Sequence, residues 1–142
     1  MSVEENVRAV TSKIDQINNR DWEGFDKGHS DSVVIHSPNA PEPVAGLPQH
    51  RGYVQALTEA FPDLHLNVET AIGQGHWVST ELVMTGTHKA PLPGPGGQSI
   101  PATNKPLRLN YLILVKVEGG ELTEEHHYFD RVGMMAQLGL ME

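Results

Sequence analysis

The chain has 142 residues, no cysteine, 38% hydrophobic residues and a formal net charge of −8. This composition suits one globular domain with a full core, and it excludes disulfides, thiolate chemistry and cysteine-built zinc sites. Ten scattered Lys and Arg argue against a nucleic-acid partner; no apolar stretch reaches the roughly twenty residues a membrane span needs, and MSVEENVRAV is unlike a signal peptide, so a cytoplasmic location is expected.

Val3, Val7, Val10, Ile14 and Ile17 form the apolar stripe of an amphipathic helix ending at Asn18-Asn19. Asp21 can cap a short second helix carrying Trp22 and Phe25, and Ser32–Ser37 reads as a strand stopped by Pro38. NAPEPVAGLP reads as a loop, and Arg51–Phe61 as a third helix stopped by Pro62. The period then changes to two. Leu64, Leu66 and Val68 alternate with polar residues, Gly73 and Gly75 mark a turn, and Trp77–His88 and Leu107–Glu118 are long strands. Gly119-Gly120 predicts a hairpin into Leu122–Asp130, and Arg131–Leu140 a closing helical turn. Helices followed by hairpin-linked strands predict an α+β fold, a curved sheet wrapped over helices with a cavity between them. The connection His88–Pro106 holds five of the ten prolines and is either a lid or a spacer.

Alternation sorts the last strand into two faces. Leu122, Glu124, His126, Tyr128 and Asp130 share one, and Thr123, Glu125, His127 and Phe129 the other. The expectation is that His126, Tyr128 and Asp130 turn into the cavity while Glu125 and His127 face outward or toward a subunit contact. His36 shares a face with Val34, opposite Val33 and Ile35. Asp130 could instead be only the cap of the closing helix, and Glu124 and Glu125 a solvated hairpin arm. His65 and His76 read as edge residues without a role. Leu109, Tyr111, Ile113, Val115 and Val117 offer apolar area for a partner or for the core.

Five segments carry a resemblance: AFPDLHLNVE, the strand ending TGTH, PATNKP, the GGEL hairpin and DRVGMMAQLGL. In this order the chain resembles the SnoaL-like polyketide cyclases, also called ester cyclases, of the NTF2-like superfamily, over nearly its whole length. The resemblance implies an α+β cone of three amino-terminal helices packed on a strongly curved, mostly antiparallel sheet. It implies an intramolecular aldol-type ring closure on a small, largely apolar substrate, without metal or organic cofactor, and a homodimer or homotetramer. The position matching the family's general acid/base is Asp130, with His126 and His36 as catalytic companions. Tyr128, Trp77, Tyr53, His88 and Glu81 are expected to bind substrate. Three positions depart from the common motif: His126 replaces a tryptophan, Glu81 an arginine and His76 an aspartate. The competing readings are a hydrolase, isomerase or dehydratase using the same pocket, or a non-catalytic ligand carrier in which Asp130 is merely a cap. A metal held by His36, His126, Glu81 and Asp130 is chemically possible, but no ligand-spacing motif supports it.

Overall fold

A computed structural model describes residues 1–93 and 98–141. Helix α1 (Val3–Asn18) starts at a capping box in which Ser2 and Glu5 exchange hydrogen bonds. It buries Val10, Ile14 and Ile17 against the sheet. At roughly 1.5–3 kcal/mol per buried aliphatic side chain, this stripe holds the helix in place. Helix α2 (Trp22–Gly28) is capped by Asp21 and leads directly into β1 (His29–His36). The strand therefore begins three residues earlier than the β-branched run suggests. β2 (Val44–Ala45) pairs with β1, so part of the expected NAPEPVAGLP loop is a short edge strand.

Helix α3 spans Leu47–Ala60, one turn longer than expected at its start. Pro48 sits in the first turn, where its missing N–H costs nothing, and Gly46 before it has φ +97°, a conformation open to glycine. Strands β3 (His65–Gln74), β4 (Trp77–Thr87), β7 (Pro106–Glu118) and β8 (Glu121–Phe129) follow, with α4 (Arg131–Gln137) at the end. Between β4 and β7, β5 (Leu92–Pro93) and β6 (Ser99–Ile100) form a small ribbon whose tip, residues 94–97, lies outside the described residues.

The main sheet runs β2-β1-β8-β7-β4-β3. All its neighbours are antiparallel except β1 and β8. Helix α1 lies across the β3 end. Gly73 permits this approach, since a Cβ there would meet Val3 at 2.7 Å. The Asn18 side chain then exchanges two 2.8 Å hydrogen bonds with the Leu66 backbone, tying the helix end to the sheet. Leu109, Ile113, Val115 and Val117 are all buried, so the apolar area of β7 goes into the core rather than to a partner. No described helix is long and apolar enough to cross a membrane.

The register of β7 and β8 corrects the face assignment. Val117 pairs with Leu122, but Lys116 pairs with Glu124, so Thr123 is an extra residue in a bulge. Counting in twos from Leu122 fails beyond that point. Glu125 pairs with Val115 and His127 with Ile113, both inward-facing, whereas Glu124, His126 and Tyr128 face out.

Candidate active site

A cavity of about 280 Å³ lies between the helices and the inner sheet face. Ile14, Ile17, Val54 and Leu57 supply its helical wall, and Leu82, Met84, Ile113 and Phe129 its sheet wall. Leu92, Pro93 and Ile100 also line it, so the long connection contributes wall rather than mere spacing. Lys13, His50, Tyr111 and His127 reach the cavity from within the fold. Ser37, Asn39, Tyr53 and Arg131, all at least partly exposed, line it nearer solvent.

The inner polar groups converge on Glu125, whose side chain is fully buried. Lys13 Nζ donates to Glu125 Oε1 and to His50 Nε2, the latter at 3.1 Å. His29 Nε2 donates to Glu125 Oε2 at 3.1 Å. His127 Nε2 lies 2.8 Å from Glu125 Oε1, and its Nδ1 lies 2.7 Å from the Tyr111 hydroxyl. An ionised carboxylate only accepts, so Nε2 of His127 carries the proton and Nδ1 accepts from Tyr111. The result is a line of hydrogen bonds, Tyr111 to His127 to Glu125, closed at the far end by the Lys13 ammonium.

Burial alone would raise the Glu125 carboxyl, but Lys13, His50 and the imidazole hydrogen bonds outweigh it and hold the group well below its usual range. Burial lowers His127, against the pull of Glu125, and favours neutral imidazole. Burial, with Tyr53 and Glu125, pushes the Tyr111 phenol well up, so it stays protonated. Burial and the neighbouring Lys13 lower His50 from 6.5 to about 4.

The His50 shift fixes the sign of a pH effect. The unfolded chain takes up this proton near 6.5 and the folded chain only near 4, so the stabilisation is complete above 6.5 and is lost as pH falls through 4. The whole difference is on the order of 3 kcal/mol. Urea unfolding followed from pH 7 to below 4 should show this decline, and His50→Asn should flatten it. An equally steep decline in the variant would assign it to other groups.

Of the residues expected at the site, Tyr53 lines the cavity. Asp130 does not. It is exposed, and its carboxylate accepts from the Gly133 amide at 2.8 Å as the α4 N-cap. Tyr128 is 56% exposed on the outer sheet face, where Trp77 and Glu81 also lie. His36 and His126 stack on each other on that same face, with ring centroids 4.4 Å apart. His88 is buried but stands apart from the cavity lining, held by the Thr103 amide at 3.2 Å and packed on Phe61. The four-residue metal set is not brought together; His36 and His126 instead meet Glu124.

The SnoaL-like polyketide cyclase family matches residues 7–138, and the chain belongs to that family. No curated protein compared with it matches. A candidate SnoaL-like polyketide cyclase from Jannaschia sp. CCS1 superposes with a TM-score of 0.84 at 18% identity, covering 98% of this chain and 94% of that one. IdmH, a candidate polyketide cyclase from Streptomyces antibioticus, gives 0.77 at 26% identity over 94% of this chain and 98% of its own. AclR, a candidate hydroxylase from Streptomyces galilaeus, gives 0.81 at 19% identity over 99% and 100%. The α+β cone is thus that of the NTF2-like proteins, and the family supports a cyclase-type role.

Proposed function

We propose that the chain is a cyclase- or isomerase-type enzyme that moves a proton on a small, apolar, carbonyl-bearing substrate. The observation that carries this reading is the Tyr111–His127–Glu125 line ending on an apolar cavity wall. Removing a proton beside a carbonyl needs a base, and the enolate oxygen that forms needs a donor. His127 Nδ1 serves as the base once Tyr111 turns its O–H from the imidazole to the substrate oxygen. The imidazolium formed is stabilised by Glu125 through Nε2, the logic of a base oriented by a buried carboxylate. Returning that proton to a carbon gives isomerisation. Attack of the enolate on a second carbonyl of the same substrate, with the proton delivered to the new alkoxide, gives ring closure. The acid/base role expected of Asp130 passes to His127 in this reading, because His127 meets the cavity and the Asp130 carboxylate is engaged as a cap.

Incubating the protein in D2O with a panel of apolar ketones and diketones tests the reading directly. Compounds that bind should exchange their α-protons for deuterium faster than in buffer, as followed by NMR. Ligands that fill the cavity without any exchange would mark a carrier instead. Assembly into a homodimer or homotetramer also belongs to this reading, and light scattering that finds only monomer at micromolar concentration would contradict it.

A further inference from the structure

The outer sheet face carries a second cluster that the proposed chemistry does not use. β1 and β8 run parallel there, with His36 paired to His126. The two imidazole planes lie 3° from parallel, stacked with centroids 4.4 Å apart. Glu124, two residues before His126 on the same face, places its Oε2 2.7 Å from His126 Nε2. One donor atom from each of His36, Glu124 and His126 falls within 4.8 Å of the others.

We propose that His36, Glu124 and His126 form a binding site for a divalent transition-metal ion of the zinc class. Two imidazoles and one carboxylate are the donor set that borderline cations such as Zn²⁺ take, with a fourth position left to water. Zinc bonds of about 2.0–2.2 Å at tetrahedral angles require donors roughly 3.3 Å apart. The donors already lie within 4.8 Å of one another, so small side-chain rotations suffice while the strand ladder holds both backbones in register. The ion takes the place of the hydrogen bond between His126 Nε2 and Glu124, with the ring proton moving to Nδ1. All three side chains are only partly buried, so the ion has a path in. The net charge of −8 favours cation approach. Lys116 is the opposing charge. It pairs with Glu124 across the ladder, and its ammonium sits over the Trp77 ring at 5.9 Å.

The buried trio His29, His50 and Glu125 also has metal-ligand spacing, but a cation is already there. Lys13 donates to both Glu125 and His50, where an ion would stand. The outer cluster has no such built-in cation, and the proposal is independent of the catalytic reading.

Calorimetric titration of the full chain with Zn²⁺ near neutral pH tests the site. One ion per chain is expected, with binding weakened at least tenfold in His126→Ala and in the milder His36→Gln. Both variants change half-exposed side chains, and thermal unfolding without zinc establishes that they are folded. Three results would overturn the proposal: no uptake by the parent chain, unchanged affinity in both variants, or loss of binding in His50→Asn while His126→Ala still binds.

Discussion

Replacing Lys13 with Met is expected to lower the unfolding free energy by about 3–5 kcal/mol, the usual cost of stranding a buried charge. Lys13 and Glu125 are 3% and 0% exposed, so water cannot take over for either partner. Without the ammonium, the buried Glu125 keeps only imidazole partners. Glu125→Leu should cost a similar amount, since it strands Lys13 instead. The double variant Lys13→Met with Glu125→Leu should cost much less than the two single changes combined, because two apolar groups replace a pair that had to be desolvated. Urea unfolding of the four proteins measures this coupling. Additivity within about 0.5 kcal/mol would mean the charges do not stabilise each other. A control lies on the surface: Lys27 and Glu23 also pair, but at 76% and 82% exposure. Lys27→Ala should therefore cost under about 0.5 kcal/mol.

The elements were legible wherever one period ran unbroken. The α1 stripe, the long β4 and β7 strands and the glycine hairpin all read directly from spacing. The site was harder, and specific residues say why. Alternation sorted β8 into two sets correctly near its end, but the bulge at Thr123 inverted which set faces in. A bulge adds one residue and leaves no mark in a polar run such as TEEHH. His50 was missed because Pro48 read as loop, although proline is favoured in a helix's first turn. With α3 starting at Leu47, His50 falls between Leu47 and Val54 on the buried face. His29 was missed because β1 begins before its β-branched run. Lys13 did leave a signal: it stands three residues after Val10 and four before Ile17, inside the apolar stripe of α1. A lysine there must find a carboxylate, and the only fully buried one described is Glu125. Family motifs located the fold well, yet they drew attention to Asp130 through its place in a segment that caps α4.

The two candidate acid/base groups can be separated by paired substitutions. With a ketone that exchanges its α-protons on the parent protein, His127→Gln should lower the exchange rate by roughly 10²–10⁴-fold, the usual contribution of a positioned proton acceptor. Glutamine keeps a donor for Glu125 but cannot take up a proton. Tyr111→Phe should also slow exchange, by removing the hydrogen bond to the developing enolate while leaving the base in place. Asp130→Asn should leave the rate nearly unchanged, because Asn caps a helix about as well as Asp and the carboxylate does not line the cavity. The pH profile supplies a second readout. The base must be neutral, and burial lowers the His127 imidazole, so the acid limb of the rate should lie below the ordinary imidazole value of about 6.5. Collapse of exchange in folded Asp130→Asn, with His127→Gln still active, would return the chemistry to Asp130 and reject the Tyr111–His127–Glu125 line as its source.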